Sequence, residues 1–413
     1  MNDLLKGKAL PADDAGKTER PGKQIKRLPQ ENILSVAVNK YAMFIALIVI
    51  AIFFQWQTDG VLLAPMNISK LIMQNSYILI LAIGMLPCIL TGDIDLSVGS
   101  VVAVIGAIAG TLIISMGLPV SLTIVACLAA GLLIGAWQGF WVAFVKVPAF
   151  IVTLAGMLLF RGMTMVILNG NTLAPFPESY QFVAQRFLQD IPVIGTIPYG
   201  TILIGVLIAL CGVYAQWHDY QQKIKYGIPV SGQNWLFIKI ALIAFVSIFS
   251  TYWLTQFKGL PIILILLAAL IFMYSFICRK TVIGRHIYAI GGNERATQLS
   301  GIKTKWVRFL VFVNMGLMAA VAGLVFSARL NCAAPSAGTM FELDAIAACY
   351  IGGASATGGV GTIVGAIVGG LVMGVLNNGM SILGIGIDWQ QGIKGMVLLL
   401  AVAFDIYNQN KKA

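Results

Sequence analysis

Two short stretches place paired carboxylates beside apolar runs. One is Thr91-Gly92-Asp93-Ile94-Asp95-Leu96-Ser97-Val98-Gly99-Ser100, the other Phe341-Glu342-Leu343-Asp344-Ala345-Ile346. Each reads acid, apolar residue, acid, and then enters an apolar segment. An acid at membrane depth costs roughly 2.5–3.5 kcal/mol on insertion scales, so its retention asks for a reason. One reading makes Asp93, Asp95, Glu342 and Asp344 polar points on a transport path, at gates or helix breaks. The other is helix capping, with Asp95 or Ser97 accepting the free N–H groups that open the next helix. Pro87 and Gly92 favour a broken backbone at the first stretch. The likeness of the two fits an internal duplication, but the match is too short to establish one.

A third polar feature runs from Ile283 to Ile302. Asn293 is placed as an N-cap and Gly301 as a stop, so a short helix is expected between them. Such a helix lying across the membrane face would dock a soluble partner; the plainer reading is an ordinary basic loop. Arg161 stands alone in the apolar run 151–169. Structural pairing, with an acid such as Asp93, or snorkelling to the interface is the favoured reading; contact with a ligand hydroxyl is the other.

The composition limits what such residues can do. Of 413 residues, 59% are hydrophobic and 10% charged, against about 25% charged in soluble domains. Mean hydropathy is +0.89. Too little polar surface is available for a soluble protein, so an all-α polytopic membrane protein is expected. The net charge of +11 is explained by cytoplasmic loops rather than nucleic acid. The six cysteines form no CxxC pair, so neither a metal site nor a disulfide framework is inferred. Neither a GxxxxGK[ST] phosphate loop nor an HExxH motif occurs. No catalytic residues are assigned.

Residues 1–40 read as a polar cytoplasmic tail, without the pattern of a cleaved signal peptide. The transmembrane domain is expected over 41–410. Spans of about 20 apolar residues fall at 41–56, 70–90, 97–116, 120–145, 148–169, 198–217, 235–254, 260–277, 308–330, 357–378 and 391–407. The segment 278–307 and the adjoining Arg308 carry Arg279, Lys280, Arg285, Arg295, Lys303 and Lys305 against Glu294 alone. That excess places it in the cytoplasm. Lys411-Lys412 place the C-terminus there too. With both termini inside the crossings must be even, so a short or broken span near 342–355 is expected and the total is about twelve. The segment 170–197, with Glu178 and Asp190, then lies outside. Glycines four apart (Gly131, Gly135 and Gly139; Gly361, Gly365 and Gly369) read as close helix packing. Phe53-Phe54-Trp56, Phe140-Trp141 and Trp253 read as interfacial belts.

At 284–302, GRHIYAIGGNERATQLSGI, the chain resembles the coupling loop of permease subunits in bacterial ABC importers for monosaccharides. GDIDLSVGS (92–100), VPAFIVTLAGMLLFRG (147–162), ELDAIAACYIGG (342–353) and NNGMSILGIGIDWQQGIKGMVLLLAV (377–402) agree with it. The resemblance covers most of residues 45–405 and is to the ribose, galactose and xylose permeases, nearest the xylose type. It departs from the shorter ribose type by an insertion, 218–258, that xylose-type members share.

The resemblance implies an inner-membrane homodimer that moves a monosaccharide, D-xylose or a related pentose or hexose. A periplasmic sugar-binding protein docks outside. An ATP-binding subunit docks inside and holds ATP and Mg, leaving no cofactor on this chain. Gly291, Gly292, Asn293, Glu294, Ser300, Gly301 and Ile302 are then the coupling contact, with Glu294 meeting a basic groove on the ATPase. Asn377, Asn378 and Gln390 either touch sugar hydroxyls or satisfy backbone groups. The competing reading is an ion-coupled secondary sugar transporter using Asp93 or Asp95.

Overall fold

A computed structural model describes residues 33–188, 200–226 and 233–410. Residues 1–32, which hold most of the expected tail, and Asp190 lie outside the described residues. The chain divides into two units, Met1–Ala42 and Met43–Ala413, and the second holds the helical bundle. Helix α1, Ile33–Gln57, contributes its apolar part Met43–Gln57.

Helices α2 (Pro65–Leu90), α3 (Val98–Gly110), α4 (Val120–Phe140) and α5 (Ala149–Leu168) follow. A π-helical turn ends α3 (Thr111–Ser115) and another ends α4 (Trp141–Val145). Then come α6 (Glu178–Gln185), α7 (Gly200–Lys225), α8 (Gln233–Thr255) and α9 (Ile262–Lys280). Two short helices, α10 (Val282–Gly292) and α11 (Glu294–Leu299), precede the long α12 (Thr304–Leu330). The chain closes with α13 (Phe341–Ile351), α14 (Ile363–Ile382) and α15 (Ile387–Asn410). Among the described residues 9 helices are long and apolar enough to cross a membrane.

Burial separates a centre from a periphery. The spans of α2 and α14 are 78% buried and that of α3 72%, whereas α7 and α8 are 17% and 11% buried. Helices that bury apolar faces all round belong inside; those that leave them out face lipid. The pair α7–α8 packs on itself through Gly205 against Thr251 and Gly212 against Ile243. Trp253 Nε1 ties it to the rest, donating to the Leu63 carbonyl at 2.9 Å. Helix α7 continues past the expected end at 217 to Lys225, where Lys223 meets Asp219 at 2.6 Å one turn away. His218 lies on this helix, and His286 on the later helix Val282–Gly292.

The glycine rows form seams. A Cβ at Gly135 would come within 2.9 Å of the Val313 Cα, and one at Gly139 within 2.9 Å of the Phe309 carbonyl oxygen, so α4 lies backbone to backbone on α12. Gly365 and Gly369 bring α14 equally close to Gly352 and Ala348. Gly361 stands outside this seam, before the helix begins.

Two breaks interrupt the centre. Of the two residues that favoured a break, Pro87 lies inside α2, which stops at Leu90. Gly92 makes the turn, with a φ of +81° that suits a residue without a Cβ. Residues 91–97 then climb to α3. The second break follows α12, where 331–340 lead to the 11-residue α13. At 1.5 Å per residue α13 rises about 16 Å, half of a hydrocarbon core of about 30 Å. The expected short crossing at 342–355 is thus half a helix with non-helical chain on either side. Its following loop reaches Leu90, whose carbonyl accepts from the Gly359 N–H at 2.9 Å. Such backbone is tolerated at depth because protein surrounds it.

Candidate functional site

The expected short helix exists as α11. The Asn293 Oδ1 accepts from the Ala296 N–H at 3.0 Å, which supplies the N-cap. The Ser300 hydroxyl donates to the Ala296 carbonyl at 2.9 Å. Gly301, at φ +83°, turns the chain into α12, and Ile302 packs against the central core. Helix α10 is capped by Thr281, whose hydroxyl accepts from the Gly284 N–H at 3.2 Å. Leu299 is 90% exposed.

Gly291 and Gly292 differ sharply. A Cβ at Gly291 would overlap the Leu90 carbonyl oxygen and the Gly359 nitrogen, whereas one at Gly292 would meet open space. Gly291 thus lets α10 rest at once on the end of α2 and on the loop that follows α13. Tyr288, also on α10, donates its hydroxyl to the Gly361 carbonyl at 2.7 Å.

Arg308, at the start of α12, completes this junction. Its Nε lies 2.8 Å from the Asp93 Oδ2, and a terminal nitrogen lies 3.3 Å from the Glu294 carboxylate. One guanidinium therefore joins α11, α12 and the 91–97 break. Glu294 keeps a side-chain exposure of 39% beside this contact. Burial pushes the Asp93 carboxyl above its ordinary range, against the opposing pull of Arg308 and the Thr91 hydroxyl. In the sequence Arg308 counts only as a loop charge. Its place as the first Arg of a long apolar helix was the available signal.

Asp95 binds Ser97, the residue before α3, and no side chain caps the helix itself. The Asp95 Oδ1 accepts from the Ser97 N–H at 2.8 Å and the Ser97 hydroxyl at 2.6 Å. Gln138 Nε2 in turn donates to the Ser97 hydroxyl at 2.6 Å, binding α4 to the break. Arg161 does not meet Asp93. It donates to the Ala337 carbonyl at 2.6 Å and the Pro335 carbonyl at 3.2 Å, holding the second break in place.

The two breaks touch at Gly99 and Gly338, where a Cβ on Gly99 would overlap the Gly338 carbonyl and the Glu342 carboxylate. Glu342 is 9% exposed. Asp344 pairs with Lys394 of α15 at 3.1 Å. Of the four acids Glu342 alone stands at this joint, while Asp93 pairs with Arg308 at the foot and Asp344 with α15.

The remaining polar residues gather elsewhere. Asn378 and Asn67 exchange amide hydrogen bonds of 2.7 and 3.2 Å between α14 and α2. Gln390 donates to the Ile385 carbonyl at 2.8 Å. The Asn377 side-chain oxygen is buried without a partner among the described residues. Satisfying neighbouring groups thus accounts for Asn378 and Gln390, and leaves Asn377 open.

Broken helices at the centre, a helical foot resting on the end of α2 and the loop after α13, and a lipid-facing periphery define a multi-pass membrane permease. The family comparison places it further. Residues 67–402 match the family described as branched-chain amino acid transport system / permease component, and the chain belongs to that family. It is 43% identical over 379 residues to the xylose transport system permease protein XylH of Haemophilus influenzae, covering 91% of this chain and 98% of that protein. XylH of Escherichia coli K12 is 41% identical over 90% of this chain and 92% of its own length. The ribose import permease RbsC of Haemophilus influenzae is 37% identical over 84% and 87%. No solved structure matches. As a permease component, the chain is a transport subunit and not an enzyme.

Proposed function

We propose that this chain is the membrane subunit of an ATP-driven importer for D-xylose or a closely related monosaccharide. The observation that carries the reading is identity of 43% to a xylose permease along nearly the whole of both chains. On this reading two copies form the path in a bacterial inner membrane, with both termini in the cytoplasm. A periplasmic binding protein delivers the sugar. An ATP-binding subunit, which holds ATP and Mg, grips the exposed edge of α10–α11 around Gly292, Ser300 and Leu299.

The geometry supports a definite division of labour. A push on α10 meets the end of α2 and the loop after α13 through Gly291, and Arg308 carries it to Asp93. The break at 91–97 leads to Asp95 and α3; the loop at 352–362 leads back to α13 and its buried acids. Movement at the foot thereby reaches the central joint through backbone contact and one shared guanidinium. The ion-coupled reading loses ground here, because Asp93 and Asp95 are both engaged in structural contacts.

Xylose uptake into cells lacking the protein tests the proposal. Wild type is expected to restore uptake. Gly292→Glu, at a position where an added Cβ meets no atom of this chain, is expected to reach the membrane yet abolish uptake. Equal uptake by the variant would show that this edge is not the coupling contact. Absence of xylose uptake with ribose uptake intact would correct the sugar.

A further inference from the structure

A cavity of about 350 Å³ opens between α11, the start of α12 and the turn that joins α4 to α5. Four cations and two carboxylates line it. The carboxylates, Asp93 and Glu294, are both taken by Arg308. Lys146, Arg295 and Lys305 also line the cavity, and among the described residues none of them has a carboxylate within ion-pair distance. With four cations against two carboxylates, the lining carries a net charge of +2, and Lys146, Arg295 and Lys305 supply the cations that no carboxylate pairs.

Its surroundings are those of a membrane interface. Phe144 lies edge-on to Trp306 with ring centroids 5.2 Å apart, and Phe140 meets Trp141 at 5.7 Å. Trp306 is 54% exposed and Trp141 38%. Such rings settle at the headgroup level. On α4 and α5 Leu133, Phe150 and Ile151 leave apolar surface open. Cations at the headgroup level next to an open apolar wall are complementary to one kind of molecule, an anion with acyl chains.

We propose that this cavity binds the phosphate headgroup of an anionic phospholipid, with Lys146, Arg295 and Lys305 as its cationic partners. The acyl chains lie along the open faces of α4 and α5. Arg308 stays with Asp93 and Glu294, so the lipid charge rests beside the junction that joins the foot to the first break. A soluble partner's acidic side chain would satisfy the charges but leave the apolar wall uncovered. Leu299, the most exposed apolar residue of α11, does not line the cavity and remains for such a partner. This assignment is independent of which sugar is carried.

Native mass spectrometry of the full chain in detergent tests it, with phosphatidylglycerol and phosphatidylethanolamine as probes. Wild type is expected to retain phosphatidylglycerol selectively. Removing two charges by Lys146→Asn with Lys305→Gln is expected to weaken retention about thirtyfold, near fivefold per charge at a membrane surface. Asn suits position 146, where the backbone is left-handed at φ +67°. Lys146→Arg with Lys305→Arg keeps the charges and is expected to keep the lipid. Lys223→Gln with Lys225→Gln removes equal charge elsewhere and is expected to change nothing. If the first double variant fails to fold, Arg295→Gln on the exposed α11 is expected to cost about fivefold. Equal retention of the two lipids, or unchanged retention in the charge-removed variants, would overturn the site. Complete displacement by glycerol phosphate would reassign it to a small anion. Loss of ATPase binding in the double variant with lipid retention intact would reassign it to the protein partner.

Discussion

Arg308 is the residue on which most of the junction depends. Asp93 has a side-chain exposure of 11%, so deleting its partner leaves a carboxylate buried and unpaired. Arg308→Gln is expected to cost about 3 kcal/mol of stability, read as a lower melting temperature in detergent, and to reduce uptake. Asp93→Asn in the same chain is expected to restore most of the stability, because the stranded charge is gone. If the double variant were as unstable as Arg308→Gln alone, the ion pair would not be the reason for the loss. The adjacent glycines give a cleaner contrast. Gly291→Ala is expected to abolish uptake by driving α10 off Leu90 and Gly359, while Gly292→Ala is expected to leave uptake near wild type. The sequence marked both glycines alike. Only the approach of Leu90 and Gly359, more than 60 residues away in either direction, separates a glycine that must be there from one that faces open space.

At the level of elements, α13 is held by an ion pair rather than by its length. Asp344 is buried, and Lys394 of α15 lies 3.1 Å away. Lys394→Met is expected to lower the melting temperature strongly, at about 3 kcal/mol, through the unpaired acid. Adding Asp344→Asn is expected to recover most of it. Most helices were legible from runs of apolar residues, because lipid demands about 20 of them in a row. α11 was legible from Asn293 and Gly301, since caps are local chemistry. The half-helix was visible only as a run too short to cross. The helical extension to Lys225 was missed because it depends on i,i+4 pairs in a polar stretch. The pairings Asp344–Lys394 and Asn67–Asn378 were not legible, because their partners lie far apart along the chain and lone polar residues carry no period.

For the whole molecule, crossing order follows from which ends of the helices meet. The basic segment, Leu90 and Gly359 lie at one end, and the turn after α14 lies at the other. A cysteine in place of Leu383, with the six native cysteines replaced, is expected to react with an impermeant maleimide added outside intact cells. Labelling only after the membrane is opened would overturn that order. Composition identified the class of molecule, since 10% charged residues cannot clothe a soluble core. It is silent on what occupies the centre and what faces lipid. Helices α2 and α7 are similarly apolar, yet one is 78% and the other 17% buried.

The meeting of Gly99 with Gly338 has a mechanical consequence. Two main chains in bare contact leave no side chain between them to compress or re-pack. If the path alternates between its two openings, this point can turn but has no slack to give, so it serves as a fulcrum rather than a spring. A lever with so rigid a pivot transmits a small displacement at the foot with little loss. It is also unforgiving: the first carbon atom added at Gly99 takes up the whole clearance, so alanine there is as damaging as valine.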